Sequence, residues 1–216
     1  MAPKTVHLLP GIKGLYALTP DSTDTEELLR RVQLALAGGV QVLQYRNKIA
    51  DQSMRLDQAQ ALRKLTHKFA VTYIVNDDAE LAAYVDADGV HLGASDGEIA
   101  AARGLLGEKK LIGVSCYNQL SLADKAILAG ADYIAFGAFY NSSVKPEAAV
   151  ATLDLLREAR AKFEVPIVAI GGINADNGAE LIDAGADALA VITTVFGATD
   201  ITLAAKKLTQ LFERNV

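Results

Sequence analysis

Two acidic residues stand side by side at the end of an apolar run. The segment YIVNDDAE, residues 73–80, passes from apolar residues into Asn76, Asp77 and Asp78, and Asp96 lies beyond the next apolar run. Carboxylates at neighbouring strand ends suit Mg²⁺, which proteins hold through one or two carboxylates, water and substrate phosphates. Capping of the following helices is the alternative for Asp78 and Asp96, and it is the simpler explanation for either residue alone.

A cationic segment ends an earlier apolar run. In LQYRNK, the spacing of Gln44, Arg46 and Lys48 places all three side chains on one side of an extended chain. One amide and two cations on the same side suit a polyphosphate. A strand end leaving the core for solvent is the alternative, but the position of Gln44 inside an apolar run favours binding. Together with the aspartates, this segment predicts a Mg²⁺-assisted diphosphate site.

Two further residues lie in apolar runs and have side chains that take part in catalysis in other enzymes. We expect His91 to be a hydrogen-bonded core histidine, because the spacing reveals no carboxylate partner or nucleophile for it. We expect Cys116 to be a small packing residue, because no Cys/His signature surrounds it. Ser115 precedes the cysteine at a strand end, where its hydroxyl group can donate a hydrogen bond to a ligand.

These residues must be positioned by a repeated alternation of helix and strand. Four similar segments, LALAGGVQVLQYR, LAAYVDADGVHLG, AILAGADYIAFG and LIDAGADALAVI, each pass from a helical stretch through a small-residue turn into an apolar run. Nearly continuous apolar runs are typical of parallel strands covered by helices. Eight strands are predicted, at residues 15–19, 40–46, 72–77, 89–93, 111–116, 133–139, 166–171 and 188–193. Eight helices follow them, including one at 175–184.

Eight strands, each followed by a helix, predict an α/β fold of the (β/α)₈ TIM-barrel type. A doubly wound open sheet remains the alternative, since alternation alone does not show closure. With no linker or break in composition, we expect one domain over residues 1–216, with a short N-terminal arm at about 1–13. In such barrels, the chemistry lies at the carboxyl ends of the strands.

The ends of the last three strands predict a second, metal-free anion site. Consecutive glycines let backbone N–H groups approach a ligand closely. The loops after strands seven and eight, with a short extra helix, are the usual phosphate site of this fold. For the loop after the sixth strand, an exposed turn is an equal alternative. The residues concerned are Ser142 and Lys145 after the sixth strand, Gly171 and Gly172 after the seventh, and Ile192 and Thr193 after the eighth.

Composition excludes some classes of partner. The chain has 216 residues, a formal net charge of -5 and no basic block, so a phosphate-tracking nucleic-acid surface is not expected. A single cysteine forms no intrachain disulfide, and the N-terminal segment resembles neither a signal peptide nor a membrane span. We therefore expect a cytoplasmic protein that acts on small molecules, without nucleic-acid or membrane partners. A homo-oligomer is compatible with the sequence.

At these motifs, the sequence resembles the thiamine-phosphate synthase family over nearly its whole length, from GLYALT to the last helix. The motifs QYRNK, IVNDD, DGVHLG, GVS, SSVK, IGGI and VITTVF occur in the family's order, and their combination is specific. The resemblance implies a transferase that condenses an aminopyrimidine diphosphate with a thiazole phosphate, giving thiamine phosphate and diphosphate. It also implies Mg²⁺ as cofactor, held by Asp77 and Asp96.

The resemblance further implies roles for individual residues by motif position. Arg46, Lys48, Ser115 and Lys145 would be the catalytic residues. The pyrimidine diphosphate would be bound by Gln44, Arg46, Lys48 and Asn76, with Ser115 and Lys145 contacting its diphosphate or its ring. The thiazole phosphate would be bound by Ser142, Gly172, Ile192 and Thr193.

The sequence departs from the family pattern in the loop after the sixth strand. That loop usually reads Thr-x-Thr-Lys in the family, whereas here Val144 removes one hydroxyl group and Asn141 replaces a common proline. Two other functions compete with the synthase. A thiazole tautomerase-like barrel would need an acid or base near the ring, and a non-catalytic binder would hold thiazole phosphate without releasing diphosphate. The two aspartates and two cations favour the synthase.

Overall fold

The predicted alternation of strands and helices closes into a barrel. The computed structural model describes residues 11–93, 95–140 and 151–213, apart from the side chain of Asp96. Eight parallel strands pair in chain order, and the last pairs with the first. The barrel prediction is therefore confirmed, and the open sheet is excluded. The strands are β1 Gly14–Leu18, β2 Val42–Tyr45, β3 Thr72–Asn76, β4 Gly89–Leu92, β5 Leu111–Tyr117, β6 Tyr133–Gly137, β7 Ile167–Ile170 and β8 Ala188–Val191.

Helices cover the outside of the barrel. A four-residue helix follows β8 before the final helix, as the sequence predicts for a phosphate-binding barrel. No helix in the described part of the chain is long and apolar enough to cross a membrane. The helices are α1 Thr25–Ala37, α2 Gln52–Phe69, α3 Ala79–Tyr84, α4 Asp96–Leu106, α5 Leu120–Leu128, α6 Leu153–Lys162, α7 Gly178–Asp183, α8 Thr193–Phe196 and α9 Ile201–Glu213.

Most boundaries agree with the prediction within two residues, and the largest error is at the start of α7. The sequence predicted a helix from residue 175, but α7 begins at Gly178. The side chain of Asn174 accepts hydrogen bonds from the backbone N–H groups of Asp176 and Asn177. These are the bonds of an N-cap or an Asx turn, and here they hold a turn at residues 175–177 that leads into the helix. The extra turn keeps the segment after β7 in loop conformation at the carboxyl end of the barrel.

Two apolar layers fix the strands. The larger layer lies between strands and helices, and it includes Leu43 and Ile112, both fully buried. The smaller layer fills the barrel interior with alternate strand residues such as Val42, Ile74 and Val168. Because neighbouring residues of a strand point to opposite faces, residues in step with this smaller layer point inward. Gln44 is two residues after Val42 and therefore also points into the barrel.

An acidic residue before each of three strands ties the amino ends of neighbouring strands together. Asp88 precedes β4, and its Oδ2 accepts hydrogen bonds from Tyr73 N at 2.8 Å and Arg63 Nη1 at 3.1 Å. Before β6, Asp132 accepts a hydrogen bond from Ile112 N and pairs with Arg103 of α4. Before β8, Asp187 accepts from Ile167 N and pairs with Arg160 of α6. We call this set, Asp88, Asp132 and Asp187, the aspartate clamps. Three of the four repeated segments thus carry the same stabilising contact.

The helix ends of these segments also behave as expected. Gly39, Gly130 and Gly185 have φ angles of 98°, 98° and 112°, which is the left-handed region that favours glycine. Asp24 caps α1 by accepting a hydrogen bond from Glu27 N at 2.9 Å. The carboxylate of Glu27, three residues after this cap, pairs with Arg30.

Candidate active site

A cavity of about 600 Å³ opens at the carboxyl ends of the strands. Its size is within the range of small-molecule sites. Every predicted site residue that is described in full contributes to its wall. The cavity is lined by Gln44, Arg46, Lys48, Asn76, Asp77, Ser115, Gly172, Ile192 and Thr193, among others. Ser142, Lys145, Val144 and Asn141 lie outside the described residues, as does the side chain of Asp96.

The cationic segment bends out of β2 towards this cavity. Gln44 is 2% exposed inside the barrel, whereas Arg46 and Lys48 follow the strand end. Asp21, in the loop after β1, holds this segment: its Oδ1 accepts hydrogen bonds from Lys48 N at 2.8 Å and Arg46 Nη1 at 3.3 Å. Thr19 bonds both backbone groups of Arg46 through its hydroxyl. The Arg46 guanidinium and the backbone that carries Lys48 are therefore held at the cavity by the protein's own side chains.

The adjacent acidic residues have separate surroundings. Asp77 has a φ angle of 61°, an uncommon conformation for a residue with a side chain, and it lines the cavity. Its Oδ2 accepts a hydrogen bond from Asn76 Nδ2 at 2.7 Å. Asp78 is the N-cap of α3, where it accepts from Leu81 N at 2.8 Å and pairs with Arg55 at 2.7 Å. The expected capping role of Asp78 is confirmed, and Arg55 is a partner that the sequence did not reveal.

Asp96 does not occupy the N-cap position that the capping alternative predicts for it. Asp96 is the first residue of α4, and the N-cap position belongs to Ser95. Acidic residues in the first turn of a helix are stabilised by its dipole. The aspartate therefore begins the helix after β4, beside the strand end that carries Leu92 and Gly93 in the cavity wall.

A chain of four hydrogen bonds crosses the interior of the barrel beneath the cavity. Gln44 Nε2 donates to Tyr16 Oη at 2.8 Å, and Tyr16 Oη lies 3.0 Å from Tyr133 Oη. Tyr133 Oη is 3.1 Å from His91 Nδ1, and His91 Nε2 is 2.9 Å from Ser115 Oγ. We call these five residues the polar chain. It joins two predicted substrate contacts, Gln44 and Ser115, through three residues without a predicted binding role.

His91 is buried and bonded at both ring nitrogens, which confirms the expectation of a hydrogen-bonded core histidine. It also lines the cavity and contacts a site residue, which its sequence context did not show. Burial lowers the pKa of His91 to about 4, so the ring is neutral at physiological pH. A neutral imidazole has one donor and one acceptor nitrogen.

A glycine makes the polar chain possible. Gly113 of β5 pairs with Tyr133 on one side and His91 on the other. A Cβ atom at Gly113 would lie 1.9 Å from Tyr133 Cζ, so the tyrosine ring occupies the space of the missing side chain. The phenol group thereby reaches across β5 to the histidine. Tyr16, Tyr133 and Gly113 were not predicted to contribute to the site. The alternation of inward and outward residues along a strand is the signal that indicates the inward direction of the two tyrosines.

The opposite side of the cavity is formed by backbone. Gly171 and Gly172 have φ angles of 107° and 64°, and a Cβ atom at Gly171 would lie 2.4 Å from that of Ala138. The positive φ angles favour glycine at both positions, and at Gly171 there is also no space for a side chain. Gly172 lines the cavity together with Thr193, the first residue of α8. The first N–H groups of a helix have no partner within the helix and suit an anion.

Cys116 has the structural role that the sequence predicts. It is fully buried against the helices, and burial raises the pKa of its thiol to about 12. A thiol in such surroundings is a poor nucleophile. Among the described residues, no group of three or more His, Cys, Asp or Glu side chains is placed to hold a metal ion.

The fold and this cavity define a (β/α)₈-barrel protein with cations, a carboxylate and glycine turns around one ligand site. The chain belongs to the thiamine monophosphate synthase family, whose model matches residues 15–195. It is 53% identical over 208 residues to thiamine-phosphate synthase of Methylobacillus flagellatus, covering 96% of this chain and 99% of that protein. It is also 53% identical over 199 residues to thiamine-phosphate synthase of Thiobacillus denitrificans, covering 92% and 94%.

Solved structures agree with this family. A thiamine phosphate pyrophosphorylase from Pyrococcus furiosus is 34% identical, has a TM-score of 0.83 and is covered over 96% of its chain and 93% of this one. A 3-hexulose-6-phosphate synthase from Salmonella typhimurium has a TM-score of 0.73 at 17% identity, with 94% of this chain and 100% of that chain covered. At that identity, the similarity shows the barrel fold alone.

Proposed function

We propose that this protein is a thiamine-phosphate synthase. It condenses 4-amino-2-methyl-5-hydroxymethylpyrimidine diphosphate with a thiazole phosphate to give thiamine phosphate and diphosphate; when the thiazole is carboxylated, CO₂ is also released and a proton takes its place. The observation that carries this proposal is that nine motif residues, separated by up to 149 positions from Gln44 to Thr193, line one cavity. The relatives named synthase, at about half identity over nearly the whole chain, support it. We expect the reaction to occur in the cytoplasm.

The reaction exchanges one bond for another. The bond between the pyrimidine methylene carbon and the diphosphate oxygen breaks, and its electron pair leaves with diphosphate. The ring amino group stabilises the resulting pyrimidinylmethyl cation. The thiazole nitrogen then forms the new bond with its lone pair and needs no deprotonation. The chain therefore needs no nucleophile or strong base, which agrees with a neutral His91 and an unreactive Cys116 in the surroundings of the cavity.

Arg46 and Lys48 offset the negative charge that grows on the leaving diphosphate. Cations that are fixed before the reaction stabilise such charge without reorganising. Asp21 and Thr19 hold the backbone and guanidinium of this segment in place. Gln44 and Asn76 bind the pyrimidine diphosphate, and Ser115 and Lys145 contact its ring or its diphosphate. Alignment of both substrates in one cavity contributes much of the remaining rate.

Asp77 and Asp96 hold Mg²⁺ in this proposal. The fit is supported by Asp77, which directly follows β3 and lines the cavity. Two carboxylates suffice, because Mg²⁺ keeps several waters and binds substrate phosphates. When bound, the ion neutralises charge on the leaving diphosphate. Asn76 donates to the same carboxylate and fixes its orientation.

The thiazole phosphate is assigned to the glycine side of the cavity, at Gly172, Ile192 and Thr193, with Ser142. Backbone N–H groups suit a phosphate there because glycine allows close approach and α8 begins at Thr193. This assignment places the two anions on opposite sides of one cavity. The nitrogen of the thiazole ring then faces the pyrimidine between them.

The experiment that tests the function supplies each substrate alone and both together, with Mg²⁺, and measures thiamine phosphate by chromatography. The synthase forms product with both substrates and none with either alone. A non-catalytic binder retains thiazole phosphate and releases no diphosphate. Absence of thiamine phosphate above background at micromolar protein, with both substrates present, would reject the proposal.

A further inference from the structure

The polar chain connects two groups that face the ligand, and its bonds have an order. Each hydroxyl group in it donates one hydrogen, so the direction of one bond sets the direction of the next. When Gln44 Nε2 donates to Tyr16, the Tyr16 hydroxyl is free to donate to Tyr133, and Tyr133 to His91 Nδ1. The neutral ring then carries its hydrogen on Nε2 and donates to Ser115 Oγ.

Two arguments favour this direction over the reverse. A phenol is a stronger acid than a serine hydroxyl, and it is therefore the better donor to the imidazole lone pair. In the reverse direction, Gln44 would turn its amide and bury an NH₂ group without an acceptor, and orphaned buried N–H groups are rarer than under-satisfied oxygens. The His91 ring is buried, and its two nitrogens contact the hydroxyl groups of Tyr133 and Ser115 and no carboxylate, which suits a neutral ring with one donor and one acceptor nitrogen.

In this direction, the two ends of the chain offer complementary groups to a ligand. Gln44 Oε1 is a buried side-chain atom without a hydrogen-bond partner among the described residues, and Gln44 lines the cavity. Ser115 Oγ accepts from His91, so its own hydrogen remains available. The site therefore presents an acceptor at Gln44 and a donor at Ser115. An unsatisfied buried acceptor indicates a ligand that brings a donor.

We infer that Tyr16, Tyr133 and His91 are positioning residues that hold Gln44 as an acceptor and Ser115 as a donor. Together they make the site select a pyrimidine with an amino group over one with an oxo group at the same ring position. The inference rests on the proposed function. An oxo group would place a second acceptor against the Gln44 oxygen. To offer a donor instead, the Gln44 amide would have to turn, and every hydrogen bond in the polar chain would then have to reverse its direction.

The first test compares binding of the aminopyrimidine diphosphate and its 4-oxo analogue by calorimetry, with Mg²⁺ and without thiazole phosphate. In wild-type protein, we expect the amino compound to bind at least roughly tenfold more tightly, since a mispaired buried acceptor is costly. In Tyr133→Phe, Tyr16 loses its acceptor and can donate to a turned Gln44 amide. The preference should then fall several-fold, mainly through tighter relative binding of the oxo compound.

Tyr73→Phe is the matched control. It also removes a hydroxyl group from a fully buried strand tyrosine, but Tyr73 Oη donates to Ala59 O on the helix side of the barrel at 3.1 Å. We expect the wild-type preference to persist in this variant. An equal loss of preference in both variants, or an unchanged preference in Tyr133→Phe, would overturn the inference.

The second test uses wild-type protein without ligand and does not depend on the two tyrosine variants. In protein labelled with ¹⁵N-histidine, nitrogen chemical shifts report which ring nitrogen carries the hydrogen. We expect His91 to be protonated at Nε2 and unprotonated at Nδ1 near neutral pH, with its signals assigned by their loss in His91→Gln. The opposite tautomer contradicts the inferred order. Failure of wild-type protein to form thiamine phosphate would instead reject the proposed function.

Discussion

The aspartate clamp at Asp88 provides a test of what stabilises the barrel. Its carboxylate is 7% exposed and binds Tyr73 N and Arg63 Nη1 through the same oxygen, Oδ2. Asp88→Ala leaves a buried strand N–H without an acceptor, which costs about 1–3 kcal/mol. It also removes one partner of Arg63, but that arginine is 22% exposed and remains 3.8 Å from Asp86. We therefore expect a loss of about 3 kcal/mol, at the low end for a broken buried ion pair.

A matched control exists on the same arginine. The side chain of Asp86 is 79% exposed and pairs with both Arg63 and Lys110. Exposed ion pairs contribute little, so Asp86→Ala should cost less than about 1 kcal/mol. Asp88→Asn keeps an acceptor for Tyr73 N and should be intermediate between the two alanine variants.

The assay is urea unfolding followed by far-UV circular dichroism, because the chain has no tryptophan. A loss of about 3 kcal/mol corresponds to a fall in Tm of about 6–12 °C for a chain of this size. If Asp88→Ala and Asp86→Ala lower the free energy of unfolding equally, or if Asp88→Ala costs under about 1 kcal/mol, the argument from burial is refuted.

Three other predictions concern the strands around the cavity. Because burial raises the pKa of Cys116 to about 12, its thiolate fraction at pH 8 is ~10⁻⁴. A thiol reagent should therefore label Cys116 only when the protein unfolds. Rapid labelling of the native protein would contradict this prediction. Burial lowers the pKa of His91 from 6.5 to about 4, so between these values the unfolded chain binds a proton that the folded chain does not. The free energy of unfolding should fall by about 3 kcal/mol as pH falls through that window. Urea titrations of His91→Gln should lack this pH dependence, and the same dependence in wild type and variant would contradict the reasoning. Gly113→Ala places a methyl group 1.9 Å from Tyr133 Cζ and should cost about 3 kcal/mol by overpacking; a wild-type urea midpoint would show that the ring moves freely.

The fold could be predicted because its signals repeat. Strand composition and helix periodicity indicate parallel strands covered by helices, and the alternation of strand and helix recurs eight times along the chain. One boundary, the start of α7, was less accurate than the others. The bonds of the Asn174 side chain hold a turn at residues 175–177, so α7 begins three residues later than predicted; an asparagine suits both a helix cap and a turn, and its residue type alone does not distinguish them.

The site was predicted in part, and the missing part is three-dimensional. The position of strand-end residues such as Arg46 and Asp77 at one cavity could be predicted, because a barrel brings the carboxyl ends of its strands together. Tyr16 and Tyr133 were missed because their role depends on a contact between residues 117 positions apart. That contact also needs Gly113 between two strands, a requirement that appears only when the register is known.

The central claim is that one cavity carries out the synthase reaction with a metal ion held by Asp77, while the adjacent Asp78 serves the fold. The most direct measurement is the rate of thiamine phosphate formation against Mg²⁺ concentration for the wild-type, Asp77→Ala and Asp78→Ala proteins. The account predicts that Asp77→Ala lowers turnover roughly tenfold or more, as loss of a metal ligand should, with a similar loss for Asp96→Ala. Asp78→Ala should lose about 1 kcal/mol of stability from its helix cap but keep the wild-type Mg²⁺ dependence. Full activity of Asp77→Ala, or the same altered Mg²⁺ dependence in both neighbours, would contradict the account.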